Sequence, residues 1–164
     1  MPVTNVTNDP AARTMTLTAE FDATVARVWQ LYDDPRQLEK WWGPTEANVT
    51  LTITDHDLSV GGYVRAYVTP PEGEKVHAYW RITAVNAPNR LEWEDGFLDD
   101  QGEPNLDLPP TAMQLTLAER AGGGTVMTIV VSFDSPESMQ WYLDMDIAEE
   151  MTRSIAQGDA LLLS

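Results

Sequence analysis

The C-terminal segment, residues 135–164, has the spacing of one long amphipathic helix. Ser135 is a good N-cap, Pro136 suits the first helical position, and Glu137 complements the helix dipole in the first turn. The apolar side chains that recur on one helical face are Met139, Leu143, Ile147, Met151, Ile155 and Leu162. A helix of this length needs a broad apolar partner surface, which the preceding residues are predicted to supply as strands.

Most of the chain before this helix alternates between apolar and polar residues, which is the pattern of a half-buried β-strand. In residues 13–21, for example, Met15, Leu17 and Ala19 alternate with threonines. Comparable segments predict strands at residues 47–54, 63–68, 76–85, 90–97, 113–119 and 126–133. We therefore expect about seven strands in all.

Two short helices are predicted between the first two strands, because the apolar spacing changes there from two to three and four. Asp22 or Thr24 can cap the first helix, and Asp34 can cap the second. Gly43 and Pro44 end the second helix. The order of elements predicts an α+β fold in one domain, residues 13–164, preceded by a disordered tail, residues 1–12.

The long acidic connection at residues 97–111 has two interpretations. It is either an acidic surface insertion or a gate over a cavity, since long loops are often lids or binding loops.

Composition narrows the classes of partner and of chemistry. The chain has no cysteine, which excludes disulfides and thiolate zinc sites, and its net charge of −16 would repel nucleic acid. No apolar run is long enough to span a membrane, and the N-terminal residues do not have the pattern of a signal peptide. We therefore expect a cytoplasmic protein with neither a metal site nor a cofactor.

Several short motifs, taken in their order and spacing, resemble a known family. They are Phe21-Asp22-Ala23, Val28-Trp29, Asp34-Pro35, Trp41-Trp42-Gly43-Pro44, Asp57-Leu58-Ser59-Val60-Gly61-Gly62 and Pro88-Asn89-Arg90-Leu91. Together they are similar to the homologues of the heat-shock protein 90 ATPase activator, which belong to the START-like, or SRPBCC, superfamily. The resemblance covers residues 13–163. It implies a helix-grip fold, in which a curved antiparallel sheet wraps around a long C-terminal helix and leaves a cavity between them.

In this family the cavity commonly takes a small apolar or amphipathic molecule, so the resemblance implies non-catalytic ligand binding. The chain departs from its relatives at Asp146 and Glu150, where glycine is frequent, and at Gly158, where an apolar residue is usual. A different pocket floor is therefore predicted. Asp146 and Glu150 are either polar anchors for a ligand, with at least one raised pKa, or solvated surface carboxylates.

Large, adaptable apolar side chains are the candidate walls of this cavity. They are Trp41, Leu91, Trp93, Met113, Leu115, Met127, Ile129, Leu143, Ile147 and Met151. The same residues would serve equally well as ordinary core packing.

Two other functions are compatible with the sequence. The family name suggests a cochaperone-like interaction protein, whose acidic surface would bind a basic partner. The fold also supports cyclases and hydrolases, for which the candidate groups would be His77, Asp95, Asp146 and Glu150. An exposed face containing Tyr63 and Tyr67 could serve a homodimer.

Overall fold

In a computed structural model of the chain, residues 2–43 and 48–163 are described. The strands are β1 Val3–Asp9, β2 Thr14–Phe21, β3 Thr50–His56, β4 Tyr63–Thr69, β5 Val76–Asn86, β6 Arg90–Phe97, β7 Thr111–Glu119 and β8 Thr125–Phe133. The helices are α1 Val25–Asp33, α2 Pro35–Trp41, α3 Pro136–Asp144 and α4 Ile147–Leu162. The predicted helix end at Pro44 and strand start at Ala47 lie outside the described residues.

The strands form one curved antiparallel sheet in the order β1-β2-β8-β7-β6-β5-β4-β3. Alternate residues of β2, β7 and β8 face the helices; in β8, for example, Met127, Ile129 and Val131 are almost completely buried. The opposite face of the sheet carries polar side chains, because the side-chain period of a strand is two. The core therefore lies between the inner face of the sheet and the helices.

Helices α1 and α2 begin where their caps predict. The side chain of Thr24 accepts a hydrogen bond from the backbone N–H of Arg27, and that of Asp34 accepts one from Arg36. Helix α2 is also joined to β3, since Glu39 accepts from the backbone N–H of Ile53, with an N–O distance of 3.0 Å. Together these bonds fix the end of α2 over β3.

The predicted single C-terminal helix is divided in two, which corrects the sequence interpretation. Asp146 has a φ of 58°, in the left-handed region, and separates α3 from α4. Helix α3 packs on β8, whereas α4 contacts α1, α2, β1 and β2. One straight helix could not follow both directions, and aspartate is among the residues that adopt this backbone conformation most readily.

The N-terminal residues, predicted as a disordered tail, instead contain strand β1, so the sheet has eight strands rather than about seven. Strand β1 pairs antiparallel with β2, although most of its side chains are exposed. Its backbone satisfies the hydrogen-bonding groups at the edge of β2. Because this strand is held mainly by backbone pairing, its polar sequence shows no apolar alternation.

The acidic connection between β6 and β7 is a series of compact turns. The carboxylate of Asp99 accepts hydrogen bonds from the backbone of Gln101 and Glu103, and the hydroxyl of Tyr142 donates to the carbonyl of Pro109.

None of the described helices has the length and apolar character that crossing a membrane requires. The predicted α+β helix-grip architecture is confirmed, with a long helix α4 across the concave side of the sheet.

Candidate functional site

A cavity of about 280 Å³ lies between the end of α2 and the inner face of strands β3 to β6. Its lining is mainly apolar and consists of Leu38, Trp42, Gly43, Leu51, Ile53, Val64, Ala66, Val68, Ala78, Tyr79, Trp80, Asp95 and Phe97. Mostly apolar walls with few polar groups are typical of small-molecule sites, and this volume is near the lower end of their range.

The cavity exists because two small residues face each other at the centre of its wall. Ala66 on β4 is the register partner of Ala78 on β5, and both line the cavity. On either side of this pair the side chains that line the cavity are larger: Val64 lies opposite Trp80, and Val68 follows on β4. Methyl groups at the paired alanines leave a volume that a pair of larger side chains would fill.

Trp42 forms the wall opposite the sheet, and its backbone is held from two sides. Its own N–H donates to the carbonyl of Leu38 at the end of α2. From α4, Gln157 donates to the carbonyl of Trp41 at 3.2 Å and Ser154 to that of Gly43 at 2.9 Å. The residues immediately before and after Trp42 are therefore fixed to the C-terminal helix.

Three indole rings meet at one end of the cavity. Trp80 and Trp93 are stacked with their ring centroids 4.2 Å apart, and Trp42 packs edge-on against Trp80 at 5.0 Å. Edge-to-face and stacked pairs are favourable arrangements of aromatic rings. The result is a rigid aromatic wall.

Asp95 is the one carboxylate in the described lining of the cavity. It is half-buried by surface area because its side chain borders the cavity, but its carboxyl group lies deep below the molecular surface. Trp93 Nε1 donates to Asp95 Oδ2 at 3.4 Å, and Trp80 is the register partner of Asp95 on β5. Burial raises the pKa of Asp95 to about 7, and the indole groups of Trp93 and Trp80 only partly oppose this effect. The group can therefore exchange a proton near neutral pH.

A second, wider pocket of about 460 Å³, here called the adjoining groove, lies beside the cavity. The two share Trp42, Gly43 and Phe97, and the groove is completed by Met145, Glu150, Met151 and Ser154. Helix α4 therefore contributes to the groove, whereas the cavity itself is lined by α2 and the sheet.

The predicted wall residues lie in three places. Met151 lines the adjoining groove. Leu143 and Ile147 are half-buried and pack against the core. The other seven are buried in the core: Trp41, Leu91, Trp93, Met113, Leu115, Met127 and Ile129. None of these seven is in the lining of the cavity as described, although Trp93 bonds to Asp95. Their contact with a ligand stays a prediction.

The predicted polar anchors are also separated. Asp146 is exposed at the start of α4, whereas Glu150 lines the adjoining groove and forms an ion pair with Arg153, with an N–O distance of 2.6 Å. Of the other two groups named for an enzyme, His77 is exposed near Tyr67, and Asp95 lines the cavity. Anchoring or catalysis by any of these groups stays a prediction.

Sequence reasoning missed Trp42 and the lining from β3 and β4. Adjacent tryptophans at the end of α2 point to different places: Trp41 is buried and donates from Nε1 to the carbonyl of Leu31, whereas Trp42 follows the helix in extended conformation. A usable signal was present in Ala66 and Ala78, two small residues at inward positions of consecutive strands. Gly158, a noted departure, allows α4 to approach, since a Cβ there would lie 3.4 Å from Trp41.

The fold and cavity define the chain as a helix-grip protein of the SRPBCC type. The family model described as "Activator of Hsp90 ATPase homolog 1-like protein" matches residues 22–161. The chain therefore belongs to this family, which confirms the resemblance inferred from its motifs.

Solved structures of similar proteins agree with this assignment. Protein Ms6760 from Mycobacterium smegmatis is 47% identical, with a TM-score of 0.86, covering 98% of this chain and 97% of that one. A protein from Arthrobacter aurescens is 41% identical, with a TM-score of 0.88, covering 98% of this chain and 91% of its own. The AHSA1 protein from Silicibacter pomeroyi is 18% identical with a TM-score of 0.70, over 92% of this chain and 97% of that one, and shows the fold alone. No curated protein matches the sequence.

Proposed function

We propose that this protein binds a small, mainly apolar molecule in the cavity between α2 and strands β3 to β6. The observation that carries the proposal is the volume left by the paired Ala66 and Ala78, which is walled by apolar side chains and bounded by Trp42. Family membership supports it, because ligand binding is common among these proteins. Affinity would come mainly from apolar burial, at about 25 cal/mol per Å² before ordering costs.

The position of the cavity differs from the one expected. Most of the predicted walls lay on strands β6 to β8 and on the C-terminal helix, whereas the open volume borders mainly β3, β4 and β5 and the end of β6. Large side chains such as Leu115 and Ile129 fill the space beneath the helices elsewhere in the sheet. A ligand would therefore contact Trp42 and Trp80 first, and Met151 only where it extended into the adjoining groove.

The proposal is tested by titrating a probe molecule into the protein and into a variant whose cavity is filled by a larger side chain. Naphthylmethanol, a neutral bicyclic probe, is titrated into the protein while backbone amide and methyl signals are recorded by NMR. We expect shifts at Ala66 and Ala78, and loss of binding in Ala78→Leu, whose larger side chain occupies the volume. The matched control is His77→Leu, which makes an apolar change at the neighbouring, exposed position of the same strand. Binding that survives in Ala78→Leu would place the ligand elsewhere and contradict the proposal.

A further inference from the structure

The most unusual group in the cavity is the Asp95 carboxylate, which has donors but no cation. Trp93 Nε1 donates a hydrogen bond to it, and the indole of Trp80 lies beside it on the neighbouring strand. No lysine, arginine or histidine occurs in the described lining of the cavity, and Asp95 forms no ion pair within residues 2–43 and 48–163. A buried carboxylate is unfavourable without a positive partner, because desolvation removes its hydration and no neighbouring charge replaces it.

We propose that the ligand is an apolar amine in its protonated form, whose ammonium group binds Asp95 while its apolar body packs against Trp42 and Trp80. This inference rests on the proposed function and adds the chemical class of the ligand. The ammonium would supply the missing positive charge and would donate hydrogen bonds to the oxygen atoms that the indoles leave available.

The carboxylate lies at the aromatic end of the cavity. Trp80 is the register partner of Asp95 on the neighbouring strand, so its ring lies beside the carboxylate. One end of the cavity therefore combines a carboxylate with indole rings, while Ala66 and Ala78 leave apolar space at its centre.

Charge outside the cavity also favours a cationic ligand. The net charge of −16 produces a field that attracts cations and repels anions, and Glu150 adds an acidic group in the adjoining groove. A ligand carboxylate would meet repulsion both on approach and at Asp95. An amine is therefore favoured over an anion of similar size.

Binding of an amine should depend on pH, because it requires the ionised form of Asp95. The neighbouring titratable groups are Tyr79 on β5, Tyr142 on α3 and Glu150 on α4. The pKa of Tyr79 is raised, mainly by burial, and burial raises that of Tyr142 to about 12, so both phenols stay neutral at neutral pH. Glu150 is paired with Arg153 in the groove. Affinity for the amine should therefore increase as the pH rises through about 7, the pKa of Asp95.

The experiment compares four probes of nearly equal shape by isothermal titration calorimetry: naphthylmethylamine, naphthylmethanol, methylnaphthalene and naphthoic acid. At about pH 8 we expect the amine to bind at least about tenfold more tightly than either neutral probe, and the acid to bind most weakly. Lowering the pH to about 5.5 should weaken the amine about tenfold or more and leave the neutral probes unchanged.

The variant Asp95→Asn keeps the shape of the side chain and removes its charge. It should abolish the preference for the amine and its pH dependence while retaining the neutral probes. The matched control is Glu92→Gln, which removes the same charge from the outward face of the same strand and should leave the preference intact. The pH series on the unaltered protein tests the same point if Asp95→Asn fails to fold.

The outcomes separate the two proposals. If a neutral probe binds as tightly as the amine at about pH 8, the cavity is an apolar binding site and the amine inference is overturned. The amine inference is also overturned if Asp95→Asn retains the preference for the amine. If no probe binds, both the proposed function and the amine inference fail. If the amine alone binds and Ala78→Leu removes it, both are supported.

Discussion

The inner face of the sheet has two parts that share one sequence pattern and differ in how completely they are filled. In the packed half, formed by β2, β8 and β7, the inward residues are almost completely buried and most of them are large, as Met15, Ile129 and Leu115 show. In the open half, formed by β3, β4, β5 and the C-terminal end of β6, the inward positions include Ala66 and Ala78, and a cavity remains. Alternation therefore determines which side chains face inward, while their size and the position of the helices determine whether any volume is left.

The strongest test of this comparison truncates a side chain in each half. Leu115→Ala should lower the free energy of unfolding by about 2–5 kcal/mol, because it creates a new cavity in tightly packed surroundings. Leu51→Ala, in the wall of the open half, should cost about 1 kcal/mol, since this side chain is only half-buried and borders existing space. Urea denaturation of both variants measures the difference. Equal losses would show that the two halves are packed alike.

The reverse change, from a small to a large side chain, should also affect the two halves differently, but the difference in stability should be smaller. Ala19→Leu, on the inner face of β2, should destabilise the protein by about 1–3 kcal/mol, because the extra carbon atoms have no space there. Ala78→Leu fills the cavity and should change stability by less than about 1 kcal/mol, or increase it. Thermal unfolding of the two leucine variants compares them. A large loss in Ala78→Leu would mean that the wall of the open half cannot accommodate a larger side chain.

The last test concerns the charge in the open half, whose effect on stability disappears at low pH. The pKa of Asp95 is raised from 3.8 to about 7, so the folded protein binds a proton that the unfolded chain releases. Stability should therefore fall as the pH rises from about 4 to about 7, and Asp95→Asn should be more stable than the unaltered protein by up to about 4 kcal/mol at about pH 8. Near pH 4 the two should be alike. Urea denaturation across this pH range, with Glu92→Gln as the control, measures the effect.

An opposite result would change the interpretation of Asp95. If Asp95→Asn were less stable than the unaltered protein at high pH, the carboxylate would have a favourable partner in the folded state. The cavity would then have no unsatisfied charge to offer a cationic ligand.

The fold was largely predictable because it depends on local signals. Apolar alternation located seven of the strands, and the caps Thr24, Asp34 and Ser135 marked three helix starts where the structure has them. Strand β1 was not predictable in this way, since it is held by backbone pairing with β2 and buries little. The division at Asp146 was missed because helical apolar spacing continues across it.

The candidate site was less predictable than the fold. Sequence reasoning chose the largest apolar side chains as walls, but those residues fill space, and most of them lie in the core. The cavity instead lies beside two small inward residues that are register partners, Ala66 and Ala78. Asp95 was named only among groups for an enzyme, because no local pattern indicates that a strand carboxylate is surrounded by indoles from its own and a neighbouring strand.

By itself, the sequence determined the α+β class, the alternation that separates the two faces of the sheet, and the family, because these depend on neighbouring residues and short motifs. Only the tertiary structure decided that Ala66 meets Ala78, that Trp42 rather than Trp41 faces the cavity, and that Asp95 lies beside Trp80. The physical reason is that an empty volume belongs to no single residue. It depends on strand register and on where α2 and α4 come to lie, which are set by contacts between residues far apart in the chain.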